Sequence, residues 1–561
     1  MESFYYRMSA TPVSFKFLDP PSPSSPIKLT PVRAHALLRR TRCFGWANQI
    51  RPTTRTFSGV PTGAADPQDC AEKVGHVKAG DGELDVAIVG GGMVGLGVTC
   101  ALSNMPLTKH LRVAVIDSNM TLKSRNYLKK DGVPDSRVSN VTPATISFSR
   151  DIGAWEHILH QRHAFFGKMQ VWDYTGLGYT RYSARDVGKE YLGYPTVFAL
   201  FRCVVENKVL CNSLLLRLHE QNEDLEKMIY PTRLASLAFP SKSRHVGVEG
   251  VKPPSSEADS IGHTSEELPR SSLVKLDLSD GHTLYSMLVV GADGFKSNVR
   301  KVAGIKKTGW RYPQSVIICT IEHMTRNDCA WQRFLPSGPI ALLPIGVNFN
   351  NMVWTMIPEE ASRHKSMSSE DFVMSLNRAL DFGYGPRPSS GSLDHYMEKV
   401  FSGIGDTAAS TKECFEVPPR AIGLISDRMA FLLSLMHSHD YVSKGLALVG
   451  DAAHTVHPLA GQGVNLGFGD AAALAKVISE GISVGADIGD LSLLSRYEND
   501  RKTANVAMAA VVDGFQKMYS VDFGPLNVLR AAAFHGPQYL LPLKRNIISY
   551  AMGDKKSLIF P

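Results

Sequence analysis

The stretch that most constrains the fold is a glycine-rich turn between a predicted strand and a predicted helix near residue 90. Residues 85–89 form a short apolar strand, helix-like residues run from 93 to 102, and a second strand at 112–116 ends in Asp117. The turn contains a G-x-G-x-x-G pattern made by Gly90, Gly92 and Gly95. Glycines there permit close approach of a pyrophosphate, and an acid about 20 residues further on accepts a hydrogen bond from a ribose hydroxyl. The pattern therefore predicts a parallel α/β sheet that binds a dinucleotide, rather than a glycine turn without a ligand.

Residues 450–467 predict where the other end of such a cofactor lies. An apolar run at 446–449 predicts a buried strand; Gly450 and Asp451 follow it, then a turn rich in proline and glycine, then a helix predicted over 470–478. Asp451 can accept a hydrogen bond from a ribityl hydroxyl. The backbone N–H groups from Gly461 to Asn465 would point outward at the helix start, where unpaired donors and the helix dipole favour negative charge. Because a reduced flavin carries its negative charge at one edge of its ring, this segment predicts a flavin site.

Another pattern lies between these two in the chain. Residues 288–300 predict a strand, a Gly291-Ala292-Asp293-Gly294 turn and a helix start. We expect Asp293 to contact the cofactor, and Ser297 with Arg300 to line a phosphate groove. Taken alone, the turn is equally typical of an ordinary connection.

The rest of the chain predicts more irregular structure. Residues 142–145 favour a helix start with Pro143 near the first position, and Arg137 just before it either reaches a flavin or phosphate or is an exposed structural arginine. Strands are predicted within 165–182. The other predictions are a helix from 204, a mobile insertion in a hairpin loop at 237–273, aromatic antiparallel strands within 310–357, a linking helix at 419–440 and an amphipathic helix at 491–519. The aromatic strands form either a sheet core or the roof over a flat apolar substrate, and the two interpretations are compatible.

Net charge is concentrated at the start of the chain. Of the formal +8, residues 1–60 contribute nine Lys and Arg against two acids, so the body is nearly neutral and gives no argument for nucleic-acid binding. The Ser, Pro and Arg content of residues 1–60 predicts an organelle transit peptide. The mitochondrion is the first choice of organelle and the plastid the second, and a disordered basic tail is the alternative. The sequence contains no run of about 18 apolar residues, so no membrane-spanning helix is predicted. Residues 526–552 form either an interfacial membrane helix or a helix packed on the body.

Other chemistry has weak support in the sequence. The eight cysteines form no C-x-x-C pair, so inert thiols in a reducing compartment are expected. His454 and His457 have i, i+3 spacing but lie in a proline-rich turn, and we predict no metal site there.

With these motifs in order, residues 85–520 resemble the FAD-dependent aromatic hydroxylases, the group A flavin monooxygenases. Within that family, residues 309–314, 331–341 and 457–467 are similar to the ubiquinone-biosynthesis hydroxylases. The resemblance implies hydroxylation of the ring of a polyprenylated 4-hydroxybenzoate at C5, in a eukaryotic mitochondrial member. It also implies that reduced FAD activates O₂, so no side-chain nucleophile is required.

The resemblance gives each motif a role. The implied fold is α/β, with a Rossmann-like FAD-binding domain, an inserted antiparallel-sheet substrate domain and a C-terminal helical region. Gly90, Gly92, Gly95 and Asp117 would hold the ADP half. Gly450, Asp451 and Asp293 would hold the pyrophosphate and ribityl chain, with Arg137 as a further candidate. The residues expected to face the flavin ring are Pro458, Gly461, Gly463, Val464 and Asn465.

The chain is divided accordingly into eight segments, in which the FAD-binding and substrate domains alternate. It begins with a transit peptide (1–60) and a linker (61–84). The FAD-binding domain is assembled from three separate stretches (85–164, 204–309 and 419–490). The substrate domain is assembled from the two stretches between them (165–203 and 310–418), and the helical region follows (491–561).

The expected partners are O₂, the polyprenylated phenol, other ubiquinone-biosynthesis proteins and the matrix side of the inner membrane as a peripheral contact. The resemblance also implies ferredoxin with its reductase as electron donor, docked through charge. The surface predicted for docking is basic, with a solvated charged face as the alternative: Lys296, Arg300, Lys301, Lys306, Lys307 and Arg311. Two other functions remain open, an FAD-dependent epoxidase or oxidase of another lipid and a non-catalytic prenyl-lipid carrier. Bound flavin colour distinguishes the enzymes from the carrier.

Overall fold

A computed structural model describes residues 82–123, 132–176, 179–183, 202–222, 228–240, 272–388, 415–458 and 461–520. The predicted transit peptide, almost all of the linker, the centre of the predicted insertion and the segment at 526–552 lie outside these residues.

The described residues form strands and helices in the following order. The strands are β1 (Glu83–Val89), β2 (Val113–Ile116), β3 (Val138–Val141), β4 (His163–Phe166), β5 (Lys168–Asp173), β6 (Tyr179–Ser183), β7 (Arg202–Glu206), β8 (Ile229–Tyr230), β9 (Leu234–Ala238), β10 (Val274–Leu278), β11 (Thr283–Gly291), β12 (Lys307–His323), β13 (Cys329–Leu335), β14 (Gly338–Pro344), β15 (Phe349–Met356), β16 (Ala421–Leu424), β17 (Met429–Ser438), β18 (Val442–Ser443), β19 (Leu446–Leu448) and β20 (His454–Thr455). The helices are α1 (Met93–Asn104), α2 (Pro143–Asp151), α3 (Trp155–Leu159), α4 (Asn207–Gln221), α5 (Asn298–Val302), α6 (Pro358–Ser366), α7 (Ser369–Leu380), α8 (Gly463–Ser483) and α9 (Leu491–Ser520).

The first sheet contains the parallel strands that the glycine motif predicts. They lie side by side in the order β8-β2-β1-β11-β19, so the chain order reverses between β1 and β11. In sheets of this kind a ligand binds where the order reverses, outside the carboxyl ends of the strands. The fold class predicted from the sequence is confirmed, and the reversal locates the edge where the cofactor motifs must meet.

Helices α1, α4 and α8 pack together beside this sheet, and α9 packs against α8. The packing follows from apolar residues that lose all solvent contact, such as Ile88, Leu96, Leu288 and Leu474. Burying a side chain of this size contributes about 1.5–3 kcal/mol. The hairpin predicted around the insertion is present, because β9 and β10 pair in antiparallel fashion on either side of it.

The second sheet is largely antiparallel, as the sequence predicts for residues 310–357. Its order is β20-β17-β12-β15-β14-β13-β5-β6, with β16 also on β12, and among the strands that the structure describes only β13 and β5 run parallel. The predicted linking helix at 419–440 is wrong, because β16 and β17 occupy that stretch. Its Ala, Leu and Met residues favour a helix locally, but pairing with β12 buries alternate residues such as Leu433 and Leu435. These two strands extend the second sheet beyond residue 418; the other segment boundaries stay predictions.

The two faces of this sheet have different surroundings. The helix-covered face packs against α6 and α7, and its residues Ile340, Leu342, Met352 and Trp354 are almost fully buried. The opposite face carries the alternate residues of the same strands, and we name it the flavin-side face after the predicted cofactor. Its ends pack against β7 at one side and against α8 and α9 at the other. Between those ends it holds a row of residues of partial or marginal exposure: Ile318, Ala341, Leu343 and Val353.

A third, three-stranded sheet, β3-β7-β4, leads into α2. The predicted start of α2 is confirmed, with Thr142 as N-cap and Pro143 at the first position. The helix predicted from residue 204 begins at Asn207, because β7 ends at Glu206. The predicted helix at 491–519 is α9. Among the described residues, no helix has the length and apolar content needed to cross a membrane.

Candidate active site

The three predicted motifs lie next to one another at the carboxyl edge of the first sheet. In chain order, the first motif is residues 90–95, the second is residues 291–294 and the third is residues 450–467. The Gly90 N–H donates to the Ile116 carbonyl at 2.8 Å, the Ala292 N–H to the Val89 carbonyl at 2.8 Å, and the Val449 N–H to the Gly291 carbonyl at 3.0 Å. Three turns that are far apart in the chain, at residues 90, 292 and 450, thus lie side by side, and the space that they border is named the flavin groove after the predicted cofactor.

The glycines of the first motif are required by close backbone contacts. Gly90 has a φ of +113°, and a Cβ there would lie 2.3 Å from the Ala292 carbonyl oxygen. A Cβ at Gly95 would lie 1.9 Å from the Gly90 carbonyl oxygen. At Gly92, by contrast, a Cβ would meet no atom within 4 Å, so the start of α1 faces open space. Neighbouring backbone therefore leaves no room for a side chain at Gly90 and Gly95, whereas the space beside Gly92 is open, on the side where a pyrophosphate would approach.

Asp117 stands at the end of β2, beside the glycine turn. Its Oδ2 accepts from the Gly91 N–H at 2.7 Å, and its Oδ1 accepts from the Asn119 N–H at 2.8 Å. Both carboxylate oxygens are thus held by backbone donors at the end of β2, and the contact of Asp117 with a ribose hydroxyl stays a prediction.

Asp293 serves the second motif in two ways. Its Oδ2 accepts from the N–H groups of Asn298 and Val299 at 2.6 and 3.1 Å, which holds the start of α5. Its Oδ1 is buried and has no hydrogen-bond partner among the described residues. A buried acceptor without a partner is costly in a finished structure, so a bound ligand that donates to Asp293 explains its placement.

The predicted phosphate role of Ser297 and Arg300 has no support in the geometry. Ser297 caps α5 by accepting from the Arg300 N–H at 2.9 Å. The Arg300 guanidinium is buried and donates to the carbonyls of Ala452 and Phe295 at 2.6 and 2.9 Å. Arg300 instead fastens the second motif to the third, and desolvation lowers its pKa.

The third motif is held by a buried acid that the sequence analysis did not single out. Asp470 of α8 is fully buried, and its Oδ2 accepts from the Gly450 N–H at 3.0 Å and from His454 Nε2 at 2.6 Å. Its Oδ1 accepts from Arg501 Nε at 2.9 Å and from Asn505 Nδ2 at 3.1 Å. Burial alone would raise the pKa of Asp470, but His454 and Arg501 hold it below its ordinary value. A single acid among the apolar residues of a predicted helix is the signal that would have found it.

Asp451, the next residue after Gly450, remains available to a ligand. It is exposed to solvent, and its carboxylate forms no hydrogen bond or ion pair within the described residues. Desolvation raises the pKa of Asp451, and His454 opposes the shift. Within the described residues no group of three or more His, Cys, Asp and Glu side chains could hold a metal ion, and His454 Nε2 is bonded to Asp470.

Helix α8 begins at Gly463, seven residues before the predicted start, so its first turn lies inside the third motif. The side chain of Asn465 ties this turn to β3 and α2. Its Nδ2 donates to the Asn140 carbonyl at 2.8 Å, and its Oδ1 accepts from the Thr142 N–H at 2.9 Å and the Thr145 hydroxyl at 2.7 Å. The first turn, which also contains Val464, is thereby held beside β3.

The segment before α8 closes the same corner. Pro458 accepts from the Gly461 N–H at 2.9 Å, and Gly461 has a φ of +59°. A Cβ at Gly463 would meet nothing within 4 Å. Next to Gly461, the buried Oδ1 of Asn140 has no partner among the described residues. Asn140 was not predicted, and a motif search cannot find it.

These features fit FAD. The helices α1 and α8 start at Gly92 and Gln462 without a side-chain cap. Three helices elsewhere carry such a cap, from Thr142, Ser297 and Ser368, whereas α3, α4 and α6 also lack one. What distinguishes α1 and α8 is that their uncapped starts lie at the predicted motifs, where they suit two electron-rich groups, a pyrophosphate at α1 and the ring edge of a flavin at α8.

The flavin-side face of the second sheet adjoins α8 through the segment before β3. Thr320 Oγ1 donates to the Asp135 carbonyl at 2.8 Å, and Asn351 Nδ2 donates to the Ser136 carbonyl at 2.8 Å. The next residue, Arg137, has an exposed side chain, and its cofactor role stays a prediction.

A cavity of about 590 Å³ lies elsewhere, lined by Arg378, Phe382, Arg387, Val417 and Arg420 among others. Its wall includes α7, which covers the opposite face of the sheet. The sheet therefore separates this cavity from the flavin groove.

Comparisons with known proteins agree with this geometry. Residues 423–512 match a family model described as an FAD binding domain. The chain is 33% identical over 481 residues to "Ubiquinone biosynthesis monooxygenase COQ6, mitochondrial" of Xenopus tropicalis, covering 84% of this chain and 94% of that protein. It is 32% identical over 475 residues to the protein of the same name of Homo sapiens, covering 84% and 93%.

Solved structures share the fold. A p-nitrophenol 4-monooxygenase from Pseudomonas putida, 15% identical, matches with a TM-score of 0.55 over 85% of this chain and 100% of that chain. PqsL of Pseudomonas aeruginosa, a probable FAD-dependent monooxygenase, is 19% identical and matches with a TM-score of 0.53 over 78% and 97%. The identity and coverage of the curated relatives, together with the flavin groove, show that the chain belongs to the family of FAD-dependent ubiquinone biosynthesis monooxygenases.

Proposed function

We propose that this monooxygenase hydroxylates the aromatic ring of a polyprenylated 4-hydroxybenzoate at C5, in the mitochondrion. The observation that carries the proposal is the row Ile318, Ala341, Leu343 and Val353 on the flavin-side face. This row is apolar and continuous with the elements that hold the start of α8, and its members other than Ile318 are only partly buried. It suits a flat ring with a long apolar tail, as relatives named for ubiquinone biosynthesis would require.

The chain's own residues have three tasks in this reaction. FAD, when bound, supplies the redox chemistry that activates O₂. Asp293 and Asp451 hold the cofactor chain, and the N–H groups at Gly463, Val464 and Asn465 stabilise negative charge on the ring edge. The flavin-side face places the phenol ring and excludes water, which would otherwise favour release of hydrogen peroxide.

Complementation in eukaryotic cells that lack their own ring hydroxylase tests this proposal. The full chain should restore ubiquinone and remove the unhydroxylated intermediate, while epoxidase or carrier activity would leave that intermediate in place. Failure of a well-expressed, yellow protein in these cells would contradict the substrate assignment.

The assignment of Asp451 to the ribityl chain is tested by Asp451→Ala. We expect the variant to fold but to lose most bound FAD, measured by flavin absorbance per protein. Asp440→Ala, at an exposed acid between β17 and β18, is the matched control. Full FAD occupancy in Asp451→Ala would remove that residue from the site.

We also propose ferredoxin as the electron donor, docked on a smaller basic surface than the sequence suggested. Arg300 is buried and drops out, whereas Lys296, Lys301, Lys306, Lys307 and Arg311 are exposed. These five form no ion pair within the described stretches of the chain. Anaerobic stopped-flow reduction should show fast flavin bleaching by reduced ferredoxin that slows as salt rises. Rapid bleaching by NADPH alone would sink this proposal.

The location has its own test. Residues 1–60 fused to a fluorescent reporter should direct it to mitochondria, and a cytosolic signal would count against import. Peripheral contact of residues 526–552 with the matrix side of the inner membrane, and contacts with other ubiquinone-biosynthesis proteins, remain proposals with the same origin in the sequence.

A further inference from the structure

Helix α9 is fastened to the flavin-binding turn by buried polar contacts. Arg501 and Asn505 both donate to Asp470 Oδ1, at 2.9 and 3.1 Å. The other oxygen of Asp470 accepts from Gly450 and His454, on either side of Asp451. The position of the third motif is therefore tied to α9 through one fully buried carboxylate.

The same helix is fastened to the substrate sheet about three turns further on. Asp513 Oδ1 accepts from the Tyr312 hydroxyl at 2.7 Å, and Gln516 Nε2 donates to Gln314 Oε1 at 2.8 Å. Both partners lie on β12, and all four side chains are at most 9% exposed. The Tyr312 ring also contacts the His457 ring edge-on at 5.0 Å, directly before Pro458.

Between these anchors α9 is one unbroken helix. Arg501 and Asp513 are twelve residues apart, which corresponds to about 18 Å along the axis. Met508 and Val512 fill the space between with a small apolar core that includes Val316 of β12 and Leu466 of α8. A helix packed and hydrogen-bonded in this way resists bending and shortening, so its two ends keep a fixed separation.

We propose that α9 is a strut that, together with the pairing of β20 with β17, sets the distance between the flavin ring and the substrate sheet, with Asp470 and Tyr312 as positioning residues at its two ends. Neither residue needs to touch substrate for this role. A displacement of about 1 Å at the reacting atoms is enough to change a rate about 100-fold. The strut therefore governs how much activated oxygen reaches the ring rather than being lost as hydrogen peroxide. The inference rests on the monooxygenase function and deepens it.

The test uses Asp470→Asn and Tyr312→Phe, each of which keeps the side-chain shape and weakens one anchor, since Asn retains one acceptor oxygen and the Gln516–Gln314 bond remains in Tyr312→Phe. Glu480→Gln is the matched control, because Glu480 pairs with Arg496 across the same two helices at the exposed surface. Chemically reduced holoenzyme is mixed with O₂ and prenylated 4-hydroxybenzoate, and hydroxylated product and hydrogen peroxide are measured in one turnover. FAD affinity is measured by flavin fluorescence.

The strut predicts a specific pattern. Tyr312→Phe keeps the FAD dissociation constant within twofold but lowers the product-to-peroxide ratio at least threefold. Asp470→Asn raises the FAD dissociation constant about tenfold and lowers the same ratio. The double variant has a ratio no lower than the worse single variant, because both changes release one element. Glu480→Gln behaves as wild type.

Several results would overturn the proposal. A wild-type ratio in Tyr312→Phe would do so, as would ratios that multiply in the double variant, which would mean two independent local roles. If Asp470→Asn fails to fold, Asn505→Ser replaces it, since Arg501 then still holds Asp470. If the wild type yields only peroxide with this substrate, the substrate assignment fails. The strut is then tested by iodide quenching of the fluorescence of bound FAD. Quenching must rise in Tyr312→Phe, and unchanged quenching contradicts the strut.

Discussion

The two faces of the second sheet are built from neighbouring residues of the same strands but have opposite surroundings. On β14 and β15, Leu342 and Trp354 point into the layer covered by α6 and α7 and are at most 1% exposed. Their neighbours Ala341 and Val353 point the other way and stay half-buried. One face is therefore a structural core, and the other is an apolar surface beside the flavin groove that the rest of the protein does not cover completely.

The difference shows how one sheet can serve stability and substrate binding at once. Side chains alternate along a strand, so the two tasks are assigned to odd and even positions. A substitution on one face should change the free energy of unfolding, and a substitution one residue away should change the reaction. This division would be contradicted by a variant on the helix-covered face that changes only the reaction, or by one on the flavin-side face that changes only the free energy of unfolding.

The largest effect is expected on the helix-covered face. Trp354→Ala leaves a cavity beside His364, whose ring lies 4.8 Å away, and should lower the free energy of unfolding by about 3–5 kcal/mol. The protein that remains folded should keep wild-type FAD content and product-to-peroxide ratio. Urea unfolding gives the first quantity. A loss below about 1 kcal/mol would mean that this face is not the core described.

The second prediction concerns the pH dependence of stability. His457, whose ring contacts Tyr312 of β12, is fully buried, and desolvation lowers its pKa from 6.5 to about 4, partly opposed by Asp513. The unfolded chain binds this proton more readily between those two values, so its contribution to stability is complete above pH 6.5 and lost as pH falls to 4. The loss is about 3 kcal/mol at most.

Unfolding measured at several pH values checks this expectation. His457→Phe should flatten the decline between pH 6.5 and 4, whereas Leu342→Val, on the helix-covered face, should keep the wild-type slope. An unchanged slope in His457→Phe would show that other groups cause the acid sensitivity.

The smallest effect on stability, but a clear effect on the reaction, is expected at Val353. Val353→Trp extends a half-buried side chain into the space assigned to the substrate, so unfolding should change by less than about 1 kcal/mol while kcat/KM falls about tenfold, a difference of about 1.4 kcal/mol. Oxygen consumption compared with product formation measures it. Normal hydroxylation by this variant would place the substrate elsewhere.

The sequence predicts best what depends on neighbouring residues. The glycine turn at Gly90, the turns at Asp293 and Asp451 and the capped start of α2 all follow from local backbone demands, and the structure brings the first three into one groove. The start of α8 was placed too late because the Pro- and Gly-rich residues before Asp470 have low helix propensity.

Features that depend on distant partners were missed or misjudged. Asp470 is held by residues 16 to 35 positions away, from Gly450 to Asn505, so its neighbours in the sequence mark it as an unusual acid but do not identify its partners. The stretch that forms β17 has helix-favouring residues, and only its pairing with β12 decides its structure. Arg300 carries the charge expected of a docking or phosphate residue, but its carbonyl partner at Ala452 lies 152 residues away.

One measurement tests the central claim most directly: a single turnover of reduced holoenzyme with ¹⁸O₂ and a prenylated 4-hydroxybenzoate, followed by mass spectrometry of the product. The account predicts one ¹⁸O atom in a new hydroxyl at ring C5, with little hydrogen peroxide in the wild type and more in Val353→Trp. Peroxide without a hydroxylated ring, or a new hydroxyl that carries oxygen from water, would contradict it.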